Sequence, residues 1–152
     1  MFLEFSGEAT VGGTPAAVWR ALGDDAVVAR LLPAAREMRR TGPGVYEGAL
    51  LVGPPPLSRR HPARVAITGD ASAFHVGVQG IDRREPLTIG VACALAAAGG
   101  GRARLSYRVT AELGPLGRLV GGGAAQRLIA DFFRELDAVL RSGGADRLGR
   151  AR

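Results

Sequence analysis

Few side chains in this sequence could do acid–base, nucleophilic or metal chemistry: His61 and His75 are the only histidines, and Cys93 is the only cysteine. Alternation places His61 on the apolar side of a strand with Val65 and Ile67, and places His75 on the opposite side of the next strand. The two imidazoles are therefore not expected to share a metal ion. A single cysteine also excludes an internal disulfide and a multi-cysteine metal site.

Two tyrosines and the cysteine suit a ligand pocket better than a catalytic centre. Tyr46 and Tyr107 each combine an apolar ring with a hydroxyl tip, which fits a site that holds one polar end of an apolar ligand; core packing is the alternative. Cys93 has no recognisable activating neighbour, so we interpret it as a packing residue. His61 has no carboxylate evidently placed to orient it, which favours a hydrogen-bonding role over that of a catalytic base.

Composition predicts one soluble domain. The chain has 152 residues and a formal charge of +6, and all of its basic residues are arginines spread along the sequence. Aromatic residues make up only 5%, so the basic and stacking surface of a nucleic-acid binder is missing, and we expect no nucleic-acid partner. No apolar run is long enough to cross a bilayer, and the N-terminus does not read as a signal peptide. We therefore expect a cytoplasmic protein.

Period-two alternation predicts seven strands. They cover approximately Leu3–Val11, Ala35–Arg40, Val45–Val52, Ser58–Thr68, Phe74–Val78, Leu87–Leu95 and Ala103–Ala111. Pro62 should make the start of the fourth strand an edge or a bulge, because proline cannot donate a ladder hydrogen bond. Gly99–Gly101 should form the last hairpin turn.

Three helices are predicted around these strands. Thr14 and Pro15 open a short helix that ends at Gly23, and Asp24 or Asp25 caps a second short helix that Pro33 stops. We interpret the two aspartates as cap and first-turn charges rather than as a general acid and base.

A long amphipathic helix is predicted over Leu116–Leu140. Its apolar face includes Leu128 and Phe132, and its polar face carries four charged side chains, Arg127, Asp131, Arg134 and Arg141. The triplet Gly121–Gly123 lies inside it, where each glycine is unfavourable for a helix; close packing, a hinge or simple composition would each account for it. A curved antiparallel sheet is the natural partner for the apolar face.

The order of strand, two short helices, six strands and long helix resembles the helix-grip α+β fold of the START-like (SRPBCC) superfamily. Within it, the chain is most similar to CoxG, a family of carbon monoxide dehydrogenase subunits. The motifs that carry this resemblance are Ser6-Gly7-Glu8-Ala9, Pro15 with Ala17-Val18-Trp19, Leu32-Pro33, Tyr46-Glu47-Gly48, Leu105-Ser106-Tyr107, Arg127-Leu128-Ile129 and Phe132-Phe133. The chain departs from the family pattern at Pro33-Ala34-Ala35 and at Arg59-Arg60-His61-Pro62.

The resemblance implies a single ligand-binding domain over residues 1–141, followed by a flexible Gly- and Arg-bearing tail over 142–152. It implies a lipophilic cavity between sheet and long helix, a lipid or quinone-like ligand, and an accessory role to a molybdenum hydroxylase of the carbon monoxide dehydrogenase kind. Peripheral contact with the inner face of the membrane is a further possibility. The resemblance carries no catalytic residues, and we expect no cofactor and no metal.

The candidate residues of the cavity share an inward-facing strand position or the apolar helix face. They are Tyr46, His61, Phe74, Cys93, Tyr107, Leu128 and Phe132. The alternative function is a small enzyme of the polyketide cyclase or aromatase kind, which shares the fold. Such an enzyme needs an ionisable group inside the cavity, and a convergent acid and base is not evident in the sequence, so non-catalytic binding is favoured.

Overall fold

The structure, a computed structural model, describes residues 2–32, 35–52, 59–84, 86–114 and 117–150. It contains seven strands and three helices in the predicted order. They are β1 (Phe2–Val11), α1 (Pro15–Leu22), α2 (Asp25–Leu31), β2 (Ala35–Gly42), β3 (Val45–Val52), β4 (Arg59–Gly69), β5 (Ala73–Gly80), β6 (Thr88–Ala97), β7 (Ala103–Glu112) and α3 (Gly117–Arg150).

All seven strands form one antiparallel sheet in the order β1-β7-β6-β5-β4-β3-β2. The sheet follows the chain from β2 to β7 by hairpins, and β1 is added beside β7, with Gly7 opposite Tyr107. The open edges are therefore β1 and β2. Three consecutive glycines with positive φ, Gly99 to Gly101, turn the chain between β6 and β7, which confirms the predicted hairpin.

One face of the sheet is buried and the other is solvated, as the alternation predicted. In β4, for example, His61, Ala63, Val65 and Ile67 are buried, while the residues between them are exposed or only partly covered. The ladder between β4 and β5 begins at Ala63, so Pro62 lies at its end, where an edge was predicted. The alternating pattern therefore identified the inward face of β4 correctly, whereas β2, where the register shifts, shows no such alternation.

The two short helices begin as their capping residues predicted. Thr14 accepts a hydrogen bond from the backbone N–H of Ala17 at 3.2 Å, and Pro15 is the first residue of α1. Asp24 accepts from the backbone N–H groups of Ala26 and Val27 at the start of α2. Of the two predicted caps, Asp24 is the one that the structure shows, and Asp25 lies in the first turn.

Helix α3 packs against α1, α2 and β1. Its buried face includes Ile129, Phe132, Phe133, Leu136 and Leu140. The polar face carries ion pairs within the helix, between Asp131 and Arg134 and between Asp137 and Arg141. The helix continues to Arg150, beyond the boundary at residue 141 that the sequence suggested. Flexibility of residues 142–152 stays a prediction. None of the described helices combines the length and apolar character needed to cross a bilayer.

Candidate functional site

A cavity lies between the inner face of the sheet and helix α3, at the level of residues 128–132 of that helix. Its described lining is entirely apolar and comes from the end of α2, from the three strands β3, β5 and β6, and from α3: Leu32, Leu50, Val76, Val78, Ile89, Val91, Leu128, Ile129 and Phe132. The period-two alternation of the strands and the helical period of α3 aim these side chains at one another. The arrangement can hold an apolar group and exclude water.

The cavity is nearly filled by its own side chains. Its volume is about 30 Å³, which is roughly the share of liquid volume that one water molecule occupies. A lipid tail or an aromatic ring is far larger. A ligand of that size can enter only if the lining side chains, or the elements that carry them, move apart.

The C-terminal half of α3 is tied to the end of β1. Asp137 accepts a hydrogen bond from the backbone N–H of Gly12 at 2.8 Å, although the two residues are 125 positions apart. The same carboxylate accepts from Arg141 Nε at 3.0 and 3.1 Å. Because this contact lies beyond Phe132 along the helix, the part of α3 that lines the cavity lies on the N-terminal side of the tie.

An aromatic chain connects the β1 edge of the sheet to the cavity. The Tyr107 ring stacks on Phe133 with centroids 4.7 Å apart, and Phe133 meets Phe132 edge to face at 5.2 Å. Tyr107 lies directly over Gly7, whose lack of a side chain leaves room for the ring. Phe132 is therefore positioned by contacts that begin on β1.

Of the seven candidate cavity residues, the structure places Leu128 and Phe132 in the cavity lining. Phe74 and Tyr107 face the core but lie outside that lining: Phe74 packs 6.4 Å from Trp19, centroid to centroid, and Tyr107 packs on Phe133. Cys93 is also buried beside them on the inner face, 3% exposed. Burial raises the pKa of the Cys93 thiol to about 12, which keeps it protonated and unreactive at neutral pH.

Tyr46 is buried and reaches away from the cavity lining. Its hydroxyl donates a hydrogen bond to Asp25 Oδ1 at 3.0 Å, and Arg40 lies 3.7 Å from the same oxygen. Burial, followed by the bond to Asp25, raises the pKa of Tyr46. The tyrosine thus links β3 to α2, and Asp25 does more than supply a first-turn charge.

His61 is 5% exposed and is the one buried polar side chain among the described residues. It faces the core from β4, opposite the lining residue Leu50 on β3. The other histidine, His75, is on the solvent face, so the predicted separation of the two imidazoles is confirmed. Within the described part of the chain, no group of three histidine, cysteine or carboxylate side chains is close enough to hold a metal.

Sequence reasoning had no means to single out seven of the lining residues, among them Val76, Val78, Ile89 and Val91. The alternation identified the strand residues among them as inward-facing, but inward positions on one strand contact α1, α2 or α3 depending on where the helices cross. That crossing is a tertiary property.

A wider depression of about 840 Å³ lies across the sheet and includes exposed small residues of the solvent face, such as Ala92 and Ala94, but it is open to solvent.

Similar solved structures show the fold of this protein. A conserved protein from Geobacillus kaustophilus superposes with a TM-score of 0.79 at 21% sequence identity, covering 92% of this chain and 96% of that one. Ara h 8.0201 gives 0.64 at 19% identity, covering 93% and 99% of the two chains. Norcoclaurine synthase from Thalictrum flavum, solved with dopamine and hydroxybenzaldehyde, gives 0.64 at 13% identity, covering 93% and 88%. The fold is therefore the START-like helix-grip fold, as predicted.

The family is narrower than the fold. The family model for CoxG, a subunit of carbon monoxide dehydrogenase, matches residues 7–141. The chain belongs to the CoxG family, which confirms the resemblance seen in the sequence. No curated protein sequence matches the chain closely enough to support a relationship.

Proposed function

We propose that this chain binds a hydrophobic small molecule, lipid or quinone-like, between its sheet and helix α3, without catalysing a reaction. The observation that carries the proposal is the cavity whose described lining is entirely apolar. Burying an apolar ligand there is favourable by roughly 25 cal/mol for each Å² of apolar surface removed from water. An ionic group would have no paired charge among these lining residues.

Binding requires that the cavity open. Since about 30 Å³ is available, the ligand must displace the part of α3 that carries Leu128 and Phe132. The bond between Asp137 and Gly12 lies farther along the helix and can persist during this motion. We propose that α3 pivots on this tie, with the backbone around Gly121–Gly123 as the more deformable part of the helix.

Native mass spectrometry of the protein purified from its host tests whether a ligand is bound. Titration with diphenylhexatriene, an uncharged fluorophore that brightens in apolar surroundings, tests where an apolar molecule binds. Leu128→Trp should fill the cavity and weaken binding by about tenfold or more, which corresponds to about 1.4 kcal/mol or more. Arg127→Trp, on the exposed neighbouring position, is the matched control and should bind as the parent does. If the two variants bind diphenylhexatriene with equal affinity, the ligand does not bind in this cavity.

We propose further that the protein is an accessory to a molybdenum hydroxylase of the carbon monoxide dehydrogenase kind. Membership of the CoxG family supports this role. The experiment measures the rate at which such a hydroxylase transfers electrons to quinone in lipid vesicles, with and without this protein. A rate that depends on this protein, and that falls with Leu128→Trp but not with Arg127→Trp, would support both the role and the cavity. An unchanged rate would contradict the role, and sedimentation with the same vesicles would test peripheral membrane contact.

The alternative is a small cyclase-like enzyme of the same fold. His61 is the residue such an enzyme would depend on, since it is the buried polar side chain of the described core and lies opposite the lining residue Leu50. His61→Ala should leave the fold largely intact. It should weaken the binding only of ligands with a polar head, if the imidazole forms a hydrogen bond to them. Loss of a chemical conversion in this variant would favour the enzyme, whereas unchanged affinity for every ligand would remove His61 from the site.

A further inference from the structure

We propose that a groove on the solvent face of β2, β3 and β4 binds an acidic segment of a partner protein. The groove has a volume of about 610 Å³ and is lined by Glu37, Arg39, Glu47, Gly48, Ala49, Arg60 and Pro62. It lies on the opposite side of the sheet from the ligand cavity. Its occupancy can therefore be tested independently of ligand binding.

The floor of the groove is apolar. Ala49 on β3 is directly opposite Pro62 on β4, and both side chains point to the solvent face. The backbone N–H of Ile81 donates to the carbonyl oxygen of Pro62 at 2.9 Å, which extends the same cross-strand row by one residue. Ile81 is 49% exposed, one of two large apolar residues that the described chain leaves in solvent. The row Ala49, Pro62 and Ile81 offers an apolar strip to a partner.

The walls of the groove are built by ion pairs. On one side Arg64 Nη2 lies 2.9 Å from Glu47 Oε1. On the other side Arg60 Nη2 lies 2.6 Å from Glu37 Oε2, a pair that spans from β4 to β2 across the intervening strand. Residues 47 and 51 of β3 mark the two sides and are four positions apart, about 13 Å at the usual strand rise. That width accepts an extended chain or one helix.

The position of Glu37 is itself unusual. Its φ is +57°, the one non-glycine residue with positive φ in the described chain, and it lies where the β2–β3 register shifts. A non-glycine residue rarely adopts this backbone region, because its Cβ atom crowds the neighbouring backbone. The bulge turns the Glu37 side chain over β3 toward Arg60, so the same feature that interrupts the edge strand also builds the wall.

The groove and its rim carry an excess of positive charge. Four exposed arginines of β2 and β4 lie on this face, against two carboxylates. The arginines are Arg36, Arg39, Arg60 and Arg64, and the carboxylates are Glu37 and Glu47. An excess of two positive charges attracts an acidic segment and speeds its association.

The recessed floor favours a protein segment over the other occupants. Ala49 is 8% exposed and lies in the groove between the two ion pairs, so a flat bilayer surface cannot reach the floor that an inserted side chain can. A second copy of this face would bring two positive surfaces together, which is unfavourable. A partner with one or two apolar side chains flanked by glutamate or aspartate fits both the floor and the rim.

The probe for this site is a fluorescein-labelled peptide of alternating glutamate and leucine, measured by fluorescence anisotropy. Ala49→Arg adds positive charge while filling the floor; Ala92→Arg adds the same charge on the solvent face of β6, outside the groove. We expect Ala49→Arg to weaken peptide binding by about tenfold or more, whereas Ala92→Arg changes it by less than about twofold. Ile81→Ser, at an exposed position that does not threaten folding, should weaken it several-fold.

Three results would overturn the proposal. Equal binding by the Ala49→Arg and Ala92→Arg proteins would show that only net charge matters. If Ile81→Ser binds the peptide with unchanged affinity, the peptide does not contact the apolar strip. The Ile81→Ser measurement is the deciding one if Ala49→Arg fails to fold. Tighter binding to vesicles of phosphatidylcholine and phosphatidylglycerol than to the peptide, or dimerisation that Ala49→Arg abolishes in sedimentation, would assign the face to a membrane or to a second copy.

Discussion

Replacement of Gly7 by alanine should destabilise the protein, although alanine is ordinarily the better residue in a strand. A Cβ atom at position 7 would lie 2.5 Å from Tyr107 Oη and 2.8 Å from its Cζ, distances that require the ring to move. The ring cannot yield freely, because its other face is stacked on Phe133 of α3. The substitution therefore pushes on the aromatic chain that positions Phe132 at the cavity.

Two opposing terms set the magnitude. Alanine in place of a strand glycine gains roughly 0.5–1 kcal/mol through the unfolded chain. Overpacking against a stacked aromatic ring costs roughly 1–3 kcal/mol. The steric term wins, so we expect a net loss of about 1–2 kcal/mol, and each kcal/mol lowers the melting temperature by about 2–4 °C for a domain of this size.

Urea unfolding followed by circular dichroism measures the change. Gly42→Ala is the matched control, since a Cβ atom on Gly42 would meet nothing within 4 Å, and it should be neutral or slightly stabilising. In a Tyr107→Leu background, which removes the ring, Gly7→Ala should lose most of its effect; the double-mutant cycle isolates the contact. A Gly7→Ala protein more stable than its parent would refute the proposed contact between Gly7 and the Tyr107 ring.

Four further changes test other parts of the structure. Phe132→Arg places a charge at a position whose side chain is 6% exposed and should lower the free energy of unfolding by more than about 3 kcal/mol. Thermal melting like that of the parent would contradict the packing of α3 on the sheet. Asp137→Ala removes the acceptor for the backbone N–H at the end of β1 and should cost about 1–2 kcal/mol, with Asp137→Asn losing less, measured by urea unfolding. Because burial raises the pKa of Cys93 to about 12, the unfolded chain binds fewer protons than the folded chain above the ordinary thiol pKa of about 8.5. The contribution of the Cys93 thiol to the free energy of unfolding is fully present below that pH and declines as the pH rises toward 12. Cys93→Ala should therefore lose less stability at alkaline pH than the parent does. Identical slopes of stability against pH for the two proteins would argue against the buried thiol. Gly122→Ala with Gly123→Ala should raise the melting temperature and slow exchange of a fluorescent lipophilic ligand in stopped-flow measurements, and unchanged exchange at raised stability would rule out a hinge.

Local sequence patterns determined the helices and strands, because the interactions that form each of them are local. Thr14 followed by Pro15 can begin a helix wherever it occurs, since the hydroxyl caps an N–H three residues on. Alternation in β4 likewise settled that His61 and Val65 face inward and that the residues between them face solvent. These features set the order of elements, the buried face of the strands that alternate, and the fold class.

Contacts between distant segments settled the site. Tyr46 and Leu128 were equally good candidates for the cavity in the sequence, but only Leu128 lines it, because Tyr46 reaches instead for Asp25 on α2. The tie from Asp137 to Gly12 joins residues 125 positions apart, and the row formed by Ala49 and Pro62 depends on strand register. Which side chains face inward follows from the backbone period, so the amino-acid pattern was enough to identify them. Which of them share a cavity, and how much space it leaves, depends on where α3 crosses the sheet, because close packing between distant segments fixes that crossing.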